Sequence, residues 1–263
     1  MSVVATTTQL ADFATVIGGD HVSVYDVVGA NVDPHDFEPS PVDLNTLADA
    51  KVIIKNGLGL EAWFDETIAS AEPQGDIVNV SLGIQVRPGP EVGGRDPHIW
   101  FDPDNAAVMA SSISAALSKA DPDHALDYAT NLARYSVQLD QLDREIADQV
   151  AGLANKKMVT NHDAFGYYFA HYDFEFVGSI IPSVDTSAEL SATQIADIVE
   201  RIRQTGTKAV FSESSLPPKT ADAIGREAGV RVVAGEDALY GDSLGPAGSD
   251  GDTYLKMMRH NTR

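Results

Sequence analysis

Seven histidines are spread through the 263-residue sequence, and three of them stand in company suited to chemistry. His35 lies in Asp33-Pro-His-Asp-Phe-Glu-Pro39, and His98 lies in Asp96-Pro-His-Ile-Trp-Phe-Asp-Pro103. The tripeptide Asp-Pro-His therefore occurs twice, each time with an aromatic residue two positions on and another proline soon after. Proline fixes its own φ and biases its predecessor toward extended geometry, so each imidazole is expected to project from a stiff, non-helical turn. That suits a metal ligand, because a side chain aimed in advance loses little freedom when the ion arrives. His162 has a different setting. It follows the strand-like Lys157-Met-Val-Thr-Asn161 and precedes the helix-like Asp163-Ala-Phe-Gly-Tyr-Tyr-Phe169, at the carboxyl end of a strand, where open α/β sheets bind ligands. A fourth candidate is Asp242, in the glycine-rich Leu239-Tyr-Gly-Asp-Ser-Leu-Gly245, with Glu213, Glu236 and Asp237 as nearby alternatives. His21, His124, His171 and His260 lack such context and read as structural or solvent-facing.

The absence of cysteine removes disulfides, thiolate zinc sites and cysteine nucleophiles together, so a metal site must be built from histidine and carboxylates. A net charge of −21 repels phosphate backbones, and no basic cluster with interleaved aromatics offsets it, which argues against nucleic-acid binding. An acidic surface attracts cations, but it also simply keeps a protein soluble. The apolar fraction of 43% and charged fraction of 22% are those of an ordinary globular protein, with no run long enough to be a membrane span. The start, MSVVATTTQL, shows no basic and apolar export segment, so either the chain stays in the cytosol or such a segment once preceded Ser2.

The elements that must position these residues alternate between short β-branched runs and segments of helical period. Strands are predicted at Ser2 to Thr6, His21 to Val28, Lys51 to Lys55 and Asp76 to Val80, and again at Asp173 to Gly178, Thr207 to Ser212 and Val230 to Ala234. Helices are predicted up to Gly18, at Ser191 to Gln204 and at Pro218 to Ala228, with Ser191 and Gln194 as a capping box. The pattern predicts an α/β protein of two lobes with mainly parallel sheets, residues 1–120 and 154–263. A single long helix over 121–153 joins them, with Leu126, Ala129, Leu132, Leu139, Leu142, Ile146, Val150 and Leu153 as its apolar stripe. Such a helix spans on the order of 45 Å and is expected to pack within its own chain rather than in a coiled-coil dimer. A stiff connection of this kind restricts lobe rotation, so capture of a ligand is expected to involve small, local changes.

The stretches VDPHDFEPSP, DPHIWFDP, TNHDAFGYYF and LYGDSLGPAGSDGDTYLKMMRHN resemble the signature segments of the metal-specific solute-binding proteins, the zinc and manganese receptors of ABC importers. The resemblance runs along nearly the whole chain. It implies a metal held between two α/β lobes joined by one long helix, with His35, His98 and His162 at the three histidine positions and Asp242 as the carboxylate from the second lobe. It implies a monomeric receptor outside the cytoplasm, in the periplasm or lipid-anchored at the cell surface. Such a receptor does no catalysis, needs no cofactor beyond one bound ion, and hands that ion to a membrane permease powered by a separate ATPase chain. The sequence departs from the family in three ways. It lacks the export signal, its segment from Gly83 to Arg95 is short and free of histidine, and it stops slightly early in the last helix.

Three imidazoles and one carboxylate suit Zn2+ in a tetrahedron, whereas a bidentate carboxylate would make Mn2+ more comfortable; zinc is the favoured ion. Affinity is expected to fall as pH drops through the ordinary histidine range near 6.5. Asp33 or Asp96 is a candidate to orient a neighbouring imidazole through its second ring nitrogen. The rival from another class is a zinc hydrolase with Asp163 as base, but neither HExxH nor a nucleophile elbow is present. A receptor for a metal chelate such as a siderophore is the third reading, and it would leave three well-presented histidines unexplained.

Overall fold

The computed structural model describes residues 1–90, 93–186 and 191–263. The histidine-free segment noted above, Gly83 to Arg95, therefore lies partly outside the described residues. The first sheet is built from β1 (Ser2–Ala5), β2 (Ser23–Asp26), β3 (Val52–Lys55) and β4 (Asp76–Asn79), all parallel in the order β2-β1-β3-β4. Successive residues of a strand face opposite sides, and both sides here are covered. Val3, Ala5, Val52 and Ile54 face a core shared with α1 (Thr8–Gly18), α4 (Pro103–Ala120) and α5 (Ala125–Ala151). Val4 and Ile53 face the other way, onto Leu47 of α2 (Pro41–Ala48) and Phe64 of α3 (Phe64–Ala71).

Local chemistry sets the helix starts. Ser40 and Asp43 form a capping box around Pro41, and Asp102 accepts from the Asp104 N–H with Pro103 opening α4. The second proline after each Asp-Pro-His motif is thus close to a helix start rather than part of the histidine turn.

The predicted long helix is present as α5, of 27 residues or about 40 Å, preceded by a 3₁₀ turn at Pro122–His124. It packs on α4, α1 and the last helix, as expected for an intramolecular spine. The inner stripe differs at its ends. Leu126 is 79% exposed and Leu153 47% exposed, and the buried positions of the first turns are Tyr128 and Tyr135. Leu126 lies two residues, about 200° of helix, from Tyr128, so both cannot face the core. The large aromatics win because each buries more area.

The second half carries two parallel pairs. The first joins β5 (Lys157–Thr160) to β6 (Glu175–Ser179), and the second joins β7 (Ala209–Phe211) to β8 (Arg231–Val233). β5 lies beside β7, bringing the pairs together. Helices α7 (Ala192–Thr205) and α8 (Lys219–Ala228) close one face over Val159, Val177 and Val210, and Ser191 and Gln194 form the predicted capping box. On the other side, α6 (Gly166–Tyr172) and α9 (Tyr254–Thr262) join the core of the first sheet through Phe165, Phe169, Tyr172, Tyr254 and Met257. The last helix therefore crosses back to α5 and α1, and the Tyr254 hydroxyl donates to the Trp100 carbonyl at 2.8 Å. Among the described residues no helix is long and apolar enough to cross a membrane.

Candidate metal centre

The two Asp-Pro-His motifs use one device. In each, the aspartate accepts the backbone N–H of the histidine two residues on: Asp33 Oδ1 from His35 at 2.9 Å, and Asp96 Oδ1 from His98 at 3.0 Å. The proline carbonyls are pinned as well, Pro34 by the Trp63 indole N–H at 3.0 Å and Pro97 by the Asn56 amide at 2.9 Å. The motifs then diverge. Asp96 Oδ1 also accepts from His98 Nδ1 at 2.9 Å while its Oδ2 accepts from Arg87 Nη1 at 3.1 Å. Asp33 turns its second oxygen away to accept from the Thr186 hydroxyl at 2.6 Å. Of the two aspartates expected to orient an imidazole, Asp96 does so and Asp33 shapes only the turn.

His162 follows the end of β5, where the Thr160 hydroxyl donates to its carbonyl at 2.7 Å. Its N–H and its Nδ1 both meet Glu213 Oε1, at 3.1 and 3.0 Å. Glu213 was a candidate for the fourth ligand; it stands instead behind His162, on the opposite side of the ring from Nε2. Glu236 and Asp237 sit exposed in a 3₁₀ turn, also away from the cluster. Asp242 is anchored from the first half of the chain: its carbonyl accepts from Gln9 at 3.0 Å, and the Leu244 N–H donates to the Thr8 hydroxyl at 2.7 Å. Three residues earlier, Leu239 still bridges to Glu213 in the second half. The carboxylate expected from the second lobe thus stands where the chain crosses from the strand pairs of the second half back toward the first sheet.

These four side chains converge. His98 Nε2 lies 3.4 Å from His35 Nε2 and 3.3 Å from His162 Nε2. Asp242 Oδ1 is 3.2 Å from His98 Nε2, and its Oδ2 is 3.3 Å from His162 Nε2 and 3.9 Å from His35 Nε2. One donor atom from each residue falls within 4.8 Å of all the others. The His35 side chain is 5% exposed and the other three are sealed from solvent. With Nδ1–H committed to carboxylates, the Nε2 atoms of neutral His98 and His162 carry lone pairs aimed at one another, an arrangement that calls for a cation between them. Ligands about 2.0–2.1 Å from a tetrahedral ion stand about 3.3–3.4 Å apart, matching both nitrogen–nitrogen spacings. Although Asp242 is this close to three imidazoles, none meets hydrogen-bond geometry, and both of its oxygens are buried without a donor among the described residues.

The electrostatics are lopsided. Burial opposes charge on Asp242, but the surrounding imidazoles, His162 foremost, hold its carboxyl well below the usual range. Burial likewise opposes charge on His98, yet Asp242 and Asp96 outweigh it and push the imidazole up to about 9. For His162, Asp242 and Glu213 overcome burial and raise it well above the ordinary value. His35 goes the other way, down to about 4, because burial dominates and the His98 and His162 imidazoles add to it, outweighing the relief from Asp242 and Asp185.

The remaining histidines are engaged elsewhere, as expected. His21 pairs with Asp127 at 3.0 Å, His124 with Asp121 at 2.8 Å, and His260 with the Ala238 carbonyl at 3.0 Å. His171 reaches Asp102 at 3.1 Å through one nitrogen and Asp143 at 2.9 Å through the other, an ionic clamp between α4, α5 and α6. Sequence reasoning missed the part played by Glu213. The signal was available: it lies two residues beyond β7, the same strand-end position that singled out His162.

Residues 3–263 match the family model described as the zinc-uptake complex component A, periplasmic. The manganese ABC transporter substrate-binding lipoprotein PsaA of Streptococcus mitis is 32% identical over 99% of this chain and 86% of its own length. The iron ABC transporter substrate-binding lipoprotein MtsA of Streptococcus pyogenes serotype M1 is 30% identical with the same coverage. Among solved structures, the periplasmic zinc binding protein TroA from Treponema pallidum superposes with a TM-score of 0.90 at 29% identity, covering 99% of this chain and 96% of that one. Each of these relatives is named as a binding component rather than an enzyme. By its sequence along nearly its full length, and by its fold, this chain belongs to the family of the periplasmic zinc-uptake complex component A.

Proposed function

We propose that this protein captures one transition-metal ion as cargo, Zn2+ foremost and Mn2+ as the rival, through His35, His98, His162 and Asp242, and delivers it to the permease of an ABC importer. The observation that carries this reading is the buried convergence of three Nε2 atoms on a carboxylate that has no hydrogen-bond donor among the described residues. The spacings near 3.3 Å favour a small tetrahedral ion. Mn2+ prefers more oxygen ligands, and Asp242 has a second oxygen to offer. Relatives are named for manganese, iron and zinc, in keeping with the rule that raw affinity, which ranks Mn2+ weakest on any such donor set, does not by itself decide which ion is carried.

A catalytic zinc keeps a position open for water, and four converging protein donors leave none, which argues against the hydrolase. The pocket is also too closed for a bulky chelate. We read the chain as two lobes, residues 1–120 and 154–263, about the helix of 121–153, with α9 returning to the first lobe. It works as a monomer outside the cytoplasm, in keeping with relatives named as lipoproteins, and a separate ATPase chain drives import.

Elemental analysis of the purified protein, followed by competition between Zn2+ and Mn2+ at buffered free concentrations, tests the reading. One tightly held equivalent of zinc is the expected result. Manganese held in preference would reverse the choice of ion, and no metal uptake would sink the proposal.

A further inference from the structure

Three fully buried carboxylates surround the imidazoles: Asp96, Glu213 and Asp242. Their surroundings differ. Asp96 shares its charge with the Arg87 guanidinium at 3.1 Å. Glu213 has no lysine or arginine partner among the described residues; its ion-pair contact is with His162 Nδ1, at 2.9 Å from Oε2. Among the described residues that oxygen has no hydrogen-bond donor, while Oε1 takes both the N–H and the ring of His162. The chain is arranged to admit the carboxylate. A Cβ built on Gly241 would stand 2.1 Å from Glu213 Oε2, so a side chain next to Asp242 would push the glutamate off the ring.

Resting on the metal-capture reading, we propose that Glu213 is the positioning residue of this site. It holds His162 with Nε2 bare and facing the ion, and it supplies, with Asp242, the second of two buried negative charges, neither paired with a lysine or arginine among the described residues, that match a divalent cation. Orientation and charge act in the same direction here. A carboxylate on Nδ1–H fixes the tautomer and raises the donor strength of Nε2, and a nearby anion favours a 2+ ion whatever its identity. Glu213 therefore strengthens binding of Zn2+ and Mn2+ alike and does not choose between them. It contacts the third ligand rather than the ion, and through Gly241 it abuts the backbone of the fourth, so one side chain registers two ligands against each other.

The test uses the whole chain in five forms: wild type, Glu213→Gln, Glu213→Leu, Gly241→Ala and, as a control that removes a ligand, His162→Ala. The affinity for Zn2+ and for Mn2+ is measured by competition with a chelator, and ring N–H resonances of the zinc-loaded protein are followed by NMR. Glutamine keeps an acceptor and loses the charge, and should weaken both ions about 10-fold; leucine loses both and should weaken them about 100-fold, the range found for outer partners of metal-bound histidine. Gly241→Ala, which leaves every ligand and Glu213 in the sequence, should fall between wild type and leucine. The hydrogen-bonded Nδ1–H of His162 should persist in the glutamine variant and vanish in the leucine variant, a signature that a purely structural role would not move. Wild-type affinity in Glu213→Leu, with binding abolished in His162→Ala, would overturn the role of Glu213 and leave metal capture standing. Failure of the wild type to take up either ion would remove both.

Discussion

His98 and His162 differ from His35 in how they are held, although all three offer the same atom to the same point. The first two are sealed from solvent, and each has a carboxylate on Nδ1. His35 stands in the irregular stretch between β2 and α2, and among the described residues no hydrogen bond fixes its Nδ1. Its turn is tied by the Asp33 contacts to its own N–H and to Thr186. A metal receptor has to grip and then let go, and these demands fall on different residues. On the proposed metal-capture reading, the braced pair with Asp242 forms a preset jaw, and His35, whose turn is tied but whose ring has no Nδ1 hydrogen bond among the described residues, is the ligand that leaves at least cost.

The largest expected effect is the loss of a braced ligand. His98→Ala or His162→Ala should abolish the rise in melting temperature on adding Zn2+, since stabilisation follows RT ln(1 + [L]/Kd) and Kd collapses. Thermal melts at a fixed excess of metal check this, and an undiminished shift in His98→Ala would break the assignment. Next in size is His35→Ala, in which three donors remain. We expect a smaller loss of affinity that appears mainly as faster dissociation, read by stopped-flow transfer of the ion to a chelator. Equal losses for His35→Ala and His98→Ala would erase the distinction between the braced and free ligands.

The third effect is on pH. His98 is raised to about 9 in the metal-free protein, so the ion must displace a proton from it at neutral pH. Affinity for Zn2+ should therefore keep rising from pH 6.5 to about 9, beyond the ordinary histidine range that the sequence suggested. His35, down at about 4, contributes nothing in that window. A raised imidazole stabilises the metal-free fold below its unfolded value near 6.5, and that contribution is lost as pH climbs through about 9. Metal titrations across this range are the check, and an affinity that levels off above pH 7 would contradict it. The smallest effect is Thr186→Val, which removes one hydrogen bond to Asp33, about 1 kcal/mol, and should modestly speed release with little change in metal-free stability.

Much of this was legible in the sequence because its signals are local. The strand runs, the Ser191 capping box and the doubled Asp-Pro-His turns each depend on a few neighbouring residues, and three histidines followed from turn chemistry and strand-end placement. What stayed hidden depends on packing between distant parts. Leu126 carried the right apolar character but lost the inner face of α5 to Tyr128. Glu213 looked like one acid among several near the fourth ligand, and only the juxtaposition of β5 with β7 puts it behind His162. Asp96 and Asp33 occupy equivalent positions in identical tripeptides, and the tertiary surroundings, Arg87 for one and Thr186 for the other, decide which reaches an imidazole.

The crossing of the chain at Asp242 has a topological consequence. His35 and Asp242 are roughly two hundred residues apart, and the sequence has no cysteine. An ion held by both would act as a reversible staple between segments far apart in the sequence, closing the long loop between them. The ion leaves the unfolded chain, so this tie strengthens the folded form by mass action, in proportion to RT ln(1 + [L]/Kd), and not by restricting unfolded conformations as a disulfide does. Cargo and cross-link are then the same object, and each delivery returns the protein to its untied form.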